Sequence, residues 1–366
     1  MTPAWRCVPY TEADVDGLVD LCQAQPGKAA AITADYVRWQ HSANPAGLAQ
    51  VGLAKENGSE RIVGVVWLIP VRVQVGEEVV LGSFSTYALV HPDYRGQGVF
   101  TALVDHCKQR GQAEGCRFTY GFPAPTSYAT LVNRIKWHDI GQACLYVRAI
   151  NTGRLVRRRL GDGPVQRALA AGGQAGAHLL FGPRSLGTQA TEITVGEADT
   201  IDPALDSFWA RIRSKYPVMV VRDTRFLSWR YGQVPGRRYQ IWTARHDGRV
   251  VAATVLRSAT VEGISCGMVV DFLVEPTERG RLGGEALLQH AVAQFREEDV
   301  DLAGCLMLSH AEEADLLRRQ GYIQCPRRLL PRPFPVLVLT YDGAPWVERL
   351  HKLDSWFLTM GDSDAV

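Results

Sequence analysis

One stretch of this chain is written twice. Val90-His91-Pro92-Asp93-Tyr94-Arg95-Gly96 is echoed by Val274-Glu275-Pro276-Thr277-Glu278-Arg279-Gly280 at an offset of 184 residues (279 − 95), and Ala102-Leu103 returns as Ala286-Leu287 at the same offset. Tyr36-Val37-Arg38-Trp39-Gln40 is echoed by Phe226-Leu227-Ser228-Trp229-Arg230 at an offset of 190, and Lys136-Trp137 by Gly321-Tyr322 at 185. Landmarks kept in one order, with slowly drifting offsets, imply two copies of one fold separated by loop insertions. Two copies make a duplicated domain, since a solenoid needs more neighbours than that. The length of 366 residues and the apolar content of 46% agree with two separate cores.

Composition excludes several functions. Net charge is +2 with both signs mixed along the chain, so there is no electrostatic footprint for nucleic acid. No apolar run approaches the ~18 residues of a membrane span. The opening Met-Thr-Pro-Ala-Trp-Arg has no apolar signal core. Eight cysteines without a CxxC pair argue against disulfides and against a zinc site. The expectation is a reduced, cytoplasmic, soluble protein with no metal, no nucleic-acid partner and no membrane partner, working as a monomer or homodimer.

In the first copy, helices are expected over 11–25, with Thr11 as N-cap and Asp14 as its capping partner, and over Asp35–Gln40. Strands are expected over Gly52–Lys55, Ile62–Pro70, Val71–Leu81 and Phe84–Val90, with Gly76-Glu77 marking a hairpin. A helix over Thr101–Ala113, a strand over Phe118–Phe122, a helix over Tyr128–Ile135 and a strand over Leu145–Ala149 complete it. The second copy repeats this order, with its loop-following helix over Gly283–Phe295 and a last strand over Phe334–Tyr341. The fold class is α/β (α+β): two domains, each a mixed, mostly antiparallel twisted sheet flanked by helices. The expected boundaries are 1–150, a basic and Gly/Ala-rich linker 151–190, 191–345, and a tail 346–366 whose Trp356 and Phe357 argue for docking. Arg154, Arg157, Arg158 and Arg159 in the linker read as a solvated basic face, or as arginines that reach phosphates.

The chemistry concentrates in Val90–Phe100. A strand ends at Pro92, Arg95-Gly96-Gln97-Gly98 follows, and a helix begins. Such a unit gathers free backbone N–H groups and the positive end of a helix dipole at one point, which suits a phosphate or pyrophosphate. Glycine at 96 and 98 lets the backbone approach the anion. The spacing does not fit a dinucleotide fingerprint, and no acidic residue is placed for a ribose.

Val90-x-Pro92 followed by Arg95-x-x-Gly98 resembles the pyrophosphate loop of the GNAT superfamily of acyl-CoA-dependent N-acetyltransferases, R/Q-x-x-G-x-G/A after a strand ending V-x-P, with Phe100 in place of the last small residue. The resemblance implies a tandem GNAT protein. Acetyl-CoA would be its acyl donor, held by the backbone of Leu89 and Val90 and by Arg95, Gly96, Gln97, Gly98, Val99, Phe100 and Thr101. It implies N-acetylation of a small-molecule amine such as an amino sugar, antibiotic or biosynthetic intermediate. A non-catalytic acyl-CoA-binding or sensing protein and a protein N-acetyltransferase are the alternatives. Leu282 stands where Gly98 would be in the second copy, so that loop reads as degenerate.

Acyl transfer to an amine needs a proton acceptor, a donor to the thioester oxygen and an acid for the thiolate. Where the family carries an acidic tyrosine, this chain has Val132 and Leu317, leaving Tyr128 as the nearest substitute. Asp271 stands where the family often has a carboxylate facing the amine, and its first-copy counterpart is Tyr87. Asp362 and Asp364 on a docked tail could supply the charge that the first copy lacks.

Overall fold

The structure, a computed structural model, describes residues 4–24, 32–155, 192–330, 332–341 and 343–363. Arg157, Arg158, Arg159 and Asp364 lie outside the described residues.

The first copy runs β1 (Trp5–Pro9), α1 (Val15–Gln23), α2 (Ala34–Ser42), β2 (Gln50–Glu56), β3 (Ile62–Val75), β4 (Glu78–Val90), α3 (Val99–Ala113), β5 (Phe118–Gly121), α4 (Pro125–Asn133), β6 (His138–Gln142) and β7 (Cys144–Ala149). The second runs β8 (Ile193–Ala198), α5 (Pro203–Ile212), β9 (Val218–Val220), α6 (Thr224–Leu227), β10 (Gln240–His246), β11 (Arg249–Val261), β12 (Ile264–Val274), α7 (Glu278–Glu297), β13 (Leu302–Met307), α8 (Glu312–Arg319), β14 (Ile323–Gln324) and β15 (Pro335–Thr340). α9 (Val347–Leu350) and β16 (Trp356–Phe357) form the tail. The two series match element for element apart from β9.

Local chemistry explains the starts and stops. Thr11 and Asp14 form the capping box that the sequence announces, with Thr11 N–H donating to Asp14 Oδ2 at 2.9 Å. Thr33, Asp202, Asp223 and Thr277 cap α2, α5, α6 and α7 through their side-chain oxygens. The Gly76-Glu77 turn joins two long strands, β3 and β4, instead of the three shorter ones expected over this stretch. Pro70 sits inside β3 without ending it: its carbonyl accepts from Asn44 Nδ2 at 2.8 Å.

Two sheets result. One has the order β1-β2-β3-β4-β5-β15-β6, with β9 beside the far end of β3 and β16 beside β9; the other is β14-β7-β13-β12-β11-β10-β8. Each is mostly antiparallel: the first has the parallel pairs β4–β5 and β9–β16, the second the parallel pair β12–β13. The strand expected to close the first copy, Leu145–Ala149, lies instead in the second sheet, between β13 and β14. β15 makes the reciprocal crossing and lies between β5 and β6. Each sheet is therefore completed by a strand from the other copy. A continuous apolar core, including Trp39, Trp67, Tyr120, Trp229, Phe272, Trp356 and Phe357, spans the junction.

Candidate functional site

β4 and β5 run parallel for only three residue pairs, ending at Ser85–Gly121. Beyond that pair, β4 keeps its ladder with β3 through Ala88–Val90 but no longer pairs β5, and the chain after Gly121 turns off into α4. A bulge places Thr86 and Tyr87 together opposite Trp67, an irregularity that re-aims side chains. The sheet thus forks, with backbone polar groups of β4 facing the gap.

At the end of the fork the chain makes a tight turn over Pro92–Tyr94 and enters α3 through Gly96 and Gly98, at φ +76° and +80°. That left-handed backbone disfavours side chains. No protein atom lies within 4 Å of where a Cβ would project at either glycine. The N–H groups at the start of α3 have no helical carbonyl one turn back. They open onto a cleft of about 550 Å³ lined by Leu89, Val90, Arg95, Gly96, Gly98, Val99, Phe100 and Thr101. Gln97, also expected there, is not part of this lining, and its side chain turns back to the Asp93 carbonyl at 2.9 Å. Arg95 donates from Nε to the Val90 carbonyl at 3.2 Å, which ties the loop to β4.

The opposite wall was not foreseen from the sequence. It is α4, through Thr126, Ser127, Thr130 and Arg134. Their spacing puts them on one helical face, so the signal existed as a polar i, i+3/i+4 stripe ending in an arginine. Tyr128 is on the other face. It packs beside the Leu131, Trp137, Leu337 and Leu339 cluster, and its hydroxyl donates to Asp139 on β6. That bond raises the phenol pKa. The structure does not bring Tyr128 to the cleft. Tyr87 is buried on the reverse side of the fork, against Trp67 and Tyr36.

Residues 8–133 match the family described as acetyltransferase (GNAT) domain. The match falls within the first copy. Comparison with solved structures extends the likeness of fold to both copies. A GCN5-related N-acetyltransferase from Anabaena variabilis superposes with a TM-score of 0.61 at 9% identity, over 91% of this chain and 72% of that one. An N-myristoyltransferase from Saccharomyces cerevisiae, with bound myristoyl-CoA, gives 0.61 at 10% identity, over 94% and 81%. A tandem GNAT protein from the clavulanic acid biosynthesis pathway gives 0.55 at 16% identity, over 93% and 99%. Comparison by sequence with curated proteins finds no match.

The second GNAT fold is built differently at the same place. α7 starts at Glu278 directly after its Thr277 cap, and Gly280, Gly283 and Gly284 are buried helix residues packed against neighbouring groups. The loop register expected from the sequence, with Leu282 in the place of Gly98, therefore falls inside a helix. The fork is present, because the β12–β13 ladder ends at Met268–Gly304. It is filled by the tail. Thr359 makes a backbone bridge to Met307 at the end of β13, and its hydroxyl donates to Asp271 on β12 at 3.0 Å.

Asp271 and Asp362 meet here around a buried Arg222. Arg222 donates from Nε to Asp271 at 2.9 Å and from Nη2 to Asp362 at 2.7 Å. Asp271 also accepts from the Tyr231 hydroxyl at 3.1 Å and from its neighbour Phe272 N–H at 3.2 Å. Both of its oxygens are engaged by protein groups, one of them the tail's Thr359.

Proposed function

We propose that the protein is an acyl-CoA-dependent N-acetyltransferase that moves the acetyl group of acetyl-CoA to the amine of a small molecule. The observation that carries this reading is the left-handed Gly96/Gly98 cradle at the mouth of a forked parallel strand pair, beside a cleft of about 550 Å³. Pyrophosphate would accept hydrogen bonds from backbone N–H groups of Gly96–Thr101, with Arg95 and Arg134 on opposite rims supplying positive charge. The donor's extended arm would pair with the exposed backbone of β4 from Val90 back to Thr86, in the way that an added strand does. That register would deliver the thioester to the bulge at Thr86–Tyr87. The acceptor would come from the other face of the fork, between the two GNAT folds, the usual place for a small-molecule site. Only the first fold would turn over.

Calorimetric titration with acetyl-CoA tests the reading, together with free-thiol release across a panel of small amines. One bound equivalent per chain and amine-dependent thiol release are expected. Binding without release against any amine would favour a sensing role.

A further inference from the structure

Asp362 is a buried carboxylate that uses only one of its oxygens. Oδ2 accepts from Arg222 Nη2 at 2.7 Å and from Thr359 N–H at 2.8 Å, with the Thr359 hydroxyl at 3.3 Å. Oδ1 has no partner. Gln40 on α2 has the same asymmetry: Nε2 donates to the Tyr36 hydroxyl at 3.0 Å, and buried Oε1 has no partner among the described residues. Both residues are less than one-tenth exposed, and both line one cavity of about 30 Å³. Tyr36, Phe84, Tyr120 and Arg230 share its walls. Phe84–Tyr120 is the strand pair immediately before Ser85–Gly121, where the fork opens. The cavity therefore lies directly behind the fork, on the face opposite the loop.

A water needs roughly 10–15 Å³ of such space and two or more polar partners. About two waters fit, and two acceptors wait for their protons. Asp271 cannot play this part, since both its oxygens are taken.

We propose that Asp362 is the proton acceptor for the incoming amine, reached through water held between Asp362 Oδ1 and Gln40 Oε1, and that the second fold's fork has become the socket that fixes this aspartate. The proposal rests on the acyltransferase reading. An ammonium R–NH₃⁺ passes one proton to a cavity water as that water passes one to Oδ1, leaving R–NH₂ and a neutral carboxylic acid. The nitrogen lone pair forms a bond to the thioester carbon while the C=O π pair moves to oxygen. On collapse the C–S bond breaks, the extra N–H proton goes to the thiolate, and amide and free CoA thiol result. Asp362 then returns its proton to solvent. Burial raises the Asp362 pKa, Arg222 opposes the rise and Asp271 adds to it. Tyr120 on β5 and Tyr231 and Arg230 after α6 are the other titratable groups around it.

Full-length crystals at high resolution read the cavity directly. Ordered water bonded to both Asp362 Oδ1 and Gln40 Oε1 is expected, and a dry cavity overturns the proposal. Asp362→Asn and Gln40→Met are then assayed for acetyl transfer to methylamine, a cation at pH 7, and to hydroxylamine, which is neutral. Both variants should bind acetyl-CoA like wild type. Transfer to methylamine should fall by ~10²-fold or more, and transfer to hydroxylamine by only a few-fold, because a neutral nucleophile needs no prior deprotonation. Equal losses for the two nucleophiles would overturn the relay. Gln40→Met leaves the Arg222 contacts intact and so decides the matter even if Asp362→Asn folds poorly. Failure of wild type to bind acetyl-CoA would remove the acyltransferase reading itself, and the relay with it.

Discussion

Trp39 and Trp229 hold the two copies together by a reciprocal contact. Their rings stack at 5.0 Å with planes 19° apart. The Trp39 indole N–H donates to the Trp229 carbonyl at 2.9 Å, and the Trp229 indole N–H donates to the Trp39 carbonyl at 3.2 Å. Residue i contacting j as j contacts i marks a two-fold interface, here within one chain and between positions that the sequence already pairs as repeats. The crossed strands β7 and β15 obey the same pseudo-symmetry. The cavity facing Asp362 lies beside this stack and includes both tryptophans in its wall. The duplication thus builds the interface where the acceptor would bind.

A double-mutant cycle of Trp39→Phe and Trp229→Phe should show coupling. Each single change removes one buried N–H···O bond, for a loss of about 1–3 kcal/mol where a carbonyl is left unsatisfied. Stacked aromatic pairs add ~0.5–1.5 kcal/mol beyond area. Urea unfolding of the three variants measures this. Strict additivity, within about 0.3–0.5 kcal/mol, would mean that the stack contributes no pairwise energy.

The cradle prediction separates the two folds. Gly98→Asp puts a carboxylate and a left-handed side chain against the proposed pyrophosphate, and acetyl-CoA binding should be lost in titration. Leu282→Asp changes a partly exposed helix residue in the fold whose fork is filled, and binding should stay within a few-fold of wild type. Equal loss in both would assign donor binding to both folds.

Strand exchange makes a prediction about fragments. Residues 4–143 lack β15, which bonds both β5 and β6, so this piece alone would expose a bare sheet edge at β5. It should be aggregated or unfolded by circular dichroism and should recover when co-expressed with the remainder of the chain. A soluble, cooperatively folding 4–143 fragment would show that the exchange is dispensable.

Tyr128→Phe removes a hydroxyl bonded to Asp139 on the face of α4 turned away from the cleft. Turnover should stay within a few-fold, and stability should drop by about 0.5–1.5 kcal/mol. A loss near 10²-fold in turnover, with unchanged acetyl-CoA affinity, would make Tyr128 the proton donor after all.

Much of the fold was legible because it is encoded locally and then repeated. The Thr11 capping box, the Gly76 turn and the alternating strands each follow from a few adjacent residues. Even the backbone strain repeats: Lys136 has φ +66° where its counterpart Gly321 has +80°, each just before a buried aromatic. The Val-x-Pro…Gly98 signature located the cleft because glycine there answers a backbone requirement. What stayed hidden is long-range. Nothing local in Cys144–Ala149 tells which of two similar sheets it joins. Gly280, Gly283 and Gly284 look like a loop but serve close helix packing, since the same residue type answers both needs. Asp271 and Asp362 were both visible as carboxylates, yet Arg222, which decides their roles, carries no motif and reaches them only through tertiary packing.

Arg222→Met should therefore be among the most damaging changes in the chain, and its cost should depend on pH. Removing the cation leaves Asp271 and Asp362 buried together, which by analogy with broken buried pairs costs about 3–5 kcal/mol. Asp362 already has a folded pKa above its ordinary value. Its stabilising contribution is complete below the unfolded pKa, near ~3.9, and is lost as pH rises through the folded pKa. Arg222 holds that folded value down, so the Met variant should push it higher and extend the losing range upward. Urea unfolding at pH 5 and pH 8 should show a deficit against wild type that is larger at pH 8. A deficit of equal size at both values would mean that Asp362 does not titrate in this range, and that the variant's cost lies in packing alone.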